Sequence, residues 1–93
     1  MLIGVPKEIK TEEYRVGLTP GAVRTLIQRG HSIIVETNAA HTIGIDDADF
    51  QAAGASIVDG PDEVFAQADM IIKVKEPLAP ERAMLREGQI LFT

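Results

Sequence analysis

Ninety-three residues allow one small domain, and 45% hydrophobic against 25% charged residues is ordinary globular composition that argues against disorder. The formal net charge is −5 and the nine Lys and Arg are scattered, so the chain lacks the basic stripe of a nucleic-acid binder. With no cysteine, disulfides, thiolate zinc sites and a cysteine nucleophile are excluded together, and no apolar run approaches the roughly eighteen residues that span a membrane.

The opening residues Met1-Leu2-Ile3-Gly4-Val5-Pro6 carry no basic leader and are too short for a signal h-region, so a soluble cytoplasmic protein is expected. Leu2–Val5 is the first of five short apolar runs, four of them rich in Ile or Val as buried parallel strands should be. A polar loop over residues 6–18 follows. Thr19 then precedes Pro20, an N-cap with proline at the first helical position; Val23, Leu26 and Ile27 fall at helical spacing, and Gly30 closes the segment. The second run is Ser32–Glu36. Asp46 or Asp47 caps a short helix through Phe50 and Ala53 that ends at Gly54, before a third run over residues 55–58. Gly60-Pro61 opens another helix through Val64, Phe65 and Ala68, and a fourth run covers residues 70–74. Pro77 and Pro80 bracket the start of a last helix, with Met84 and Leu85 on its buried face and Gly88 after it, leading to a fifth run over residues 89–92. This βαβαβαβαβ order predicts an α/β fold with a right-handed, doubly wound parallel sheet, a flavodoxin-like or Rossmann-like half, with the first, third and fourth runs as neighbouring strands. The chain stops at Leu91-Phe92-Thr93 inside a predicted strand, which predicts a truncated domain.

In open α/β sheets ligands bind outside the carboxyl ends of the strands, so the loop over residues 6–18 is the first candidate site. It holds Lys7, Glu8, Lys10, Glu12, Glu13 and Arg15, and arginine is suited to gripping a carboxylate bidentately. The residues alone favour a solvated charged loop over a site. The second candidate is Lys73-Val74-Lys75-Glu76-Pro77 at the end of the fourth run, where alternation puts Lys73 and Lys75 on one side. A lysine there meets a substrate carbonyl at the mouth of the sheet or simply snorkels to water, and the residues leave both open. His31 reads as structural or exposed, and His41 has no second histidine or cysteine nearby to hold a metal. Asp46, Asp47 and Asp49 resemble a helix N-terminus and lack the spaced oxygen ligands and closing Glu of a calcium loop. No G-x-G-x-x-G or Walker A sequence occurs, so no cofactor-binding or metal-binding residue is assigned.

Gly4-Val5-Pro6-Lys7-Glu8-Ile9-Lys10, then Glu13-Tyr14-Arg15-Val16-Gly17-Leu18-Thr19-Pro20, then Val23, Leu26 and Gly30, resemble the N-terminal signature of the alanine dehydrogenases. Their domain family includes the alpha subunit of nicotinamide nucleotide transhydrogenase and, more distantly, lysine-forming saccharopine dehydrogenases. The resemblance continues through Val35-Glu36-Thr37, Ala53-Gly54-Ala55, Ala68-Asp69-Met70, Lys73-Val74-Lys75-Glu76-Pro77-Leu78 and Leu85-Arg86-Glu87-Gly88, so it covers essentially the whole chain. Within the family Lys75 discriminates, because transhydrogenases typically carry an uncharged residue there. Two departures concern loops: family members often show Asn where Glu12 stands, and Ala39-Ala40-His41-Thr42 replaces a glycine-rich turn.

The resemblance implies the N-terminal portion, residues 1–93, of the substrate-binding domain of an NAD-dependent L-alanine dehydrogenase, which interconverts L-alanine with pyruvate and ammonia. Arg15 would hold the substrate carboxylate by paired hydrogen bonds, and Lys75 would act catalytically by polarising the carbonyl oxygen. An acid/base histidine is expected beyond Thr93 and a carboxylate from a cofactor domain absent here, so the chain alone is expected to be inactive. A homo-oligomeric parent is implied, and the isolated chain is expected to self-associate. The alternatives are a piece of a transhydrogenase alpha subunit, or a non-catalytic small-ligand binder of flavodoxin-like topology.

Overall fold

A computed structural model describes all 93 residues. The elements follow the predicted alternation: β1 (Leu2–Val5), α1 (Pro20–Gln28), β2 (Ser32–Glu36), α2 (Asp47–Ala52), β3 (Ser56–Val58), α3 (Pro61–Gln67), β4 (Met70–Ile72), α4 (Ala79–Met84) and β5 (Ile90–Phe92), with a 3-10 turn at His41–Ile43. Helix ends are set by local chemistry. Thr19 is extended and its hydroxyl accepts from the Ala22 backbone N–H at 3.3 Å, while Pro20 occupies a position whose N–H has no intrahelical partner anyway. Gly30 and Gly54, at φ +92° and +108°, turn the chain out of α1 and α2. The Asp49 carboxylate accepts from the Asp46 N–H at 2.9 Å, so the acidic cluster serves the start of α2. The last helix departs from expectation: its fully buried side chain is Glu81, while Met84 and Leu85 are only partly buried.

All five strands pair in parallel, in the order β3-β2-β1-β4-β5. Ile3, Val5, Ile33 and Val35 face Val23 of α1 and Phe50 of α2 in one layer. Val64, Phe65 and Ala68 of α3 close on Ile71 in the other, which makes the sheet doubly wound. The second layer sits close on β1, where a Cβ on Gly4 would lie 2.7 Å from Val64 Cγ1.

The order corrects one expectation. β1 and β4 are neighbours, but β3 lies at the far edge with β2 between it and β1, so the sheet is the Rossmann-like half and not the flavodoxin order. Right-handed crossovers through α1 and α2 on one face step the chain outward from β1 to β2 to β3. The return through α3 on the opposite face then places β4 on the free side of β1. Winding therefore reverses between β1 and β4, and a crevice opens at the carboxyl ends of that pair. No helix is long and apolar enough to cross a membrane.

Candidate functional site

Two loops leave the carboxyl ends of β1 and β4, and the fold ties them together. Residues 6–18 run out from β1 and back over the sheet to α1. On the way Gly17 lies against the end of β4, where an added Cβ would stand 2.5 Å from the Ile72 carbonyl oxygen. Only glycine fits such an approach without moving the backbone. An exposed ion pair between Lys10 and Glu76 links the same loops at the surface and holds the Glu76 carboxyl below its usual range.

The stronger tie is internal. Lys73 Nζ donates to Glu8 Oε1 at 2.9 Å and lies 3.0 Å from Glu81 Oε2, with all three side chains 1–2% exposed. Glu8 also accepts from the backbone N–H groups of Val74 and Lys75, each at 3.1 Å. Glu81 Oε1 accepts from the Leu78 N–H at 3.0 Å, while its Oε2 makes no well-angled hydrogen bond and meets Lys73 through charge alone. Desolvating an ion costs several kcal/mol, so these buried charges depend on one another, with Glu8 the best satisfied of the three. This corrects the expectations for Lys73. It neither snorkels nor faces a substrate, and β4 ends at Ile72, so strand alternation does not relate it to Lys75. The one sequence signal of the network was a lysine following Ile71-Ile72 in a strand expected to be buried.

Arg15 and Lys75 have the opposite character. The Arg15 side chain is 66% exposed, and its guanidinium donates from Nε to Glu13 Oε2 at 3.0 Å and from Nη2 to Glu13 Oε1 at 2.9 Å. The Arg15 backbone N–H also donates to Glu13 Oε2, at 2.9 Å. These hydrogen bonds hold the Glu13 carboxyl down to about 2, with the Lys75 charge adding in the same direction, and the Arg15 guanidinium is shifted upward in return. Lys75 is half-buried and its backbone is fixed by Glu8, yet its ammonium makes no ion pair and no hydrogen bond. Its charge is felt at both Glu13 and Glu76. Arg15 is thus paired to Glu13 on the β1 loop, and the Lys75 charge on the β4 loop acts on that same carboxylate. A nearby hollow is lined by Lys7, Glu8, Lys10, Glu12, Glu13 and Tyr14 of this loop together with Ala39 and Thr42, and neither Arg15 nor Lys75 lines it.

The other candidates stay outside. His41 is exposed with Nδ1 3.5 Å from Asp46 Oδ1, and His31 is half-buried. The two loop departures have distinct outcomes. Glu12 sits at φ +63°, a conformation Asn tolerates better than Glu, whereas Ala39 and Ala40 pack into the core without positive φ. A dinucleotide does not fit the residues present: the β1–α1 connection is a charged loop instead of a tight glycine turn, and α1 opens with a proline that lacks an N–H.

The chain is a doubly wound α/β domain with charged loops at the carboxyl ends of β1 and β4. The family described as "Alanine dehydrogenase/PNT, N-terminal domain" matches residues 4–93, and the chain belongs to that family. It is 50% identical over all 93 residues to an alanine dehydrogenase of Mycobacterium tuberculosis and 52% identical to one of Methanococcus maripaludis, spanning 25% of the length of each. Its fold matches a solved L-alanine dehydrogenase with TM-score 0.94 and 45% identity, and a transhydrogenase from Sinorhizobium meliloti with TM-score 0.90 and 28% identity. Each match covers 98% of this chain and about a quarter of the other: 25% and 26% respectively.

Proposed function

We propose that residues 1–93 are the N-terminal portion of the substrate-binding domain of an NAD-dependent L-alanine dehydrogenase, with L-alanine and pyruvate as substrates. The observation that carries this reading is the pair at the switch point: an arginine with an open edge and a lysine whose ammonium has no partner, in one electrostatic neighbourhood. In the proposed mechanism Arg15 takes the substrate carboxylate bidentately. Lys75 donates to the carbonyl oxygen and stabilises charge as it develops there during addition of ammonia. NAD would supply hydride transfer from a site outside these residues, and the acid/base groups would also come from elsewhere in the full-length enzyme. The protein would be cytoplasmic and homo-oligomeric.

The fold does not separate dehydrogenase from transhydrogenase, but the unpaired Lys75 favours the dehydrogenase. In the full-length enzyme, Lys75→Ala should cost about 2.7–4 kcal/mol in activation free energy, far more than Arg15→Lys, which keeps charge and loses the fork. Steady-state assay of alanine-dependent NADH formation reads both. Near-normal turnover for Lys75→Ala would sink the proposed role.

A further inference from the structure

Arginine carries five N–H donors in a planar fork with two usable edges. In this structure one edge is already taken. Nε–H and one Nη2–H go to the two oxygens of Glu13, at 3.0 and 2.9 Å. What remains is the end-on edge, with both Nη1–H groups and the second Nη2–H. The two residues differ sharply in exposure, 66% for the Arg15 side chain and 6% for Glu13. Glu13 is also held by the Arg15 backbone N–H, so the carboxylate is anchored at both ends of the residue it orients. A solvent-exposed arginine normally samples many rotamers, and ordering one on ligand binding costs free energy. Here the paired hydrogen bonds to Glu13 favour one orientation of the fork before any ligand arrives.

We propose that Glu13 is the positioning residue of the carboxylate site: it occupies the side-on edge of Arg15 and so presents the Nη1/Nη2 edge, pre-oriented, to the carboxylate of a 2-oxo or 2-amino acid. This rests on the reading of Arg15 as the carboxylate ligand. Glu13 itself does not touch substrate. Its carboxyl is ionised across any working pH, so the orientation is constant and adds no pH dependence of its own.

The test uses the full-length enzyme with Glu13→Gln, Glu13→Asp and Arg15→Lys, alone and as the Glu13→Gln/Arg15→Lys double variant. Glutamine loses one acceptor of the pair, and aspartate keeps the charge but is too short to reach both nitrogens. Each Glu13 variant should raise KM for both alanine and pyruvate on the order of tenfold, with kcat and the KM for NADH changed by less than about twofold, because uniform binding is lost while the chemistry is untouched. In the Arg15→Lys background, which has no fork to orient, Glu13→Gln should add almost nothing. Thermal melting checks that each variant is folded; should glutamine unfold the enzyme, the aspartate variant carries the same comparison. If Arg15→Lys raises KM and the folded Glu13 variants do not, the positioning role is overturned while the site stands. Effects that simply add in the double variant overturn it as well. If Arg15→Lys itself leaves KM unchanged, the reading of the site fails first.

Discussion

Lys73 and Lys75 leave the same strand two residues apart and end in opposite electrostatic conditions. Lys73 is closed in by Glu8 and Glu81 at 1% exposure, with its charge used up inside the protein. Lys75 has its backbone held by that same Glu8 carboxylate and its ammonium left free. One carboxylate therefore serves both lysines. Glu8, paired inside with Lys73, also holds the backbone of Val74 and Lys75, and so ties the β1 loop to the β4 loop. A surface pair such as Lys10–Glu76 could not do this, since exposed ion pairs contribute only about 0–1 kcal/mol.

The comparison breaks most directly at Lys73. Lys73→Met should destabilise the protein by about 3–5 kcal/mol, because two buried carboxylates lose their cation, whereas Lys75→Met should stay within about 0.5 kcal/mol. Denaturant titration of the two variants side by side measures the contrast, and equal midpoints would mean that the network does not bear on stability. A cost of this size is a large part of a small domain's total of about 5–15 kcal/mol, so Lys73→Met is expected to be largely unfolded on warming.

A milder change sharpens the link between the two loops. Gly17→Ala places a methyl 2.5 Å from the Ile72 carbonyl oxygen and should cost about 1–3 kcal/mol as the loop shifts off β4. Melting gives the stability, and a parallel rise in substrate KM in the full-length enzyme would show that loop seating sets the site. Unchanged melting and unchanged KM would mean that the contact is not needed.

The smallest effect concerns Glu36, at the carboxyl end of β2, whose side chain accepts from the Lys7 N–H at 3.0 Å. Burial pushes its carboxyl up, against the opposing pull of that hydrogen bond. A raised carboxyl favours the folded state when protonated, so that contribution is present below the unfolded pKa and fades as pH rises through the folded one. Glu36→Gln keeps the acceptor and removes the charge. It should be slightly more stable than the wild type at pH 7, by no more than about 0.5 kcal/mol, with the advantage vanishing under acid conditions. A series of melts from pH 4 to pH 8 (about four units around the carboxyl range) follows the difference, and an advantage growing toward low pH would reverse the assignment.

Much of the fold was legible in sequence wherever the deciding contact is short. Thr19-Pro20, Gly30, Gly54 and Gly60-Pro61 mark helix ends correctly, because capping acts within about four residues. The Ile- and Val-rich runs place β1 and β2 to the residue, because two-sided burial leaves a continuous apolar stretch. Arg15 and Lys75 were singled out because position at strand ends and resemblance to a family both pointed there. The pairing of Arg15 with Glu13 was not foreseen. The orientation of Arg15 by Glu13 spans only two residues, yet it depends on the left-handed turn at Glu12, which composition does not announce.

Sequence by itself determined the order and kind of elements, the family, and which loops carry the charged groups, because these follow from local periodicity and capping. Tertiary structure alone decided the place of β3 at the far edge, the switch point between β1 and β4, and which of two lysines would be buried. The place of β3 rests on pairing with β2 some 22 residues away, and the other two outcomes on contacts 65 or more residues apart, β1 with β4 and Glu8 with Lys73 and Lys75. Whether a charge ends up paired in the interior or free in a crevice depends on what the remote segment brings to meet it, and no local pattern contains that segment.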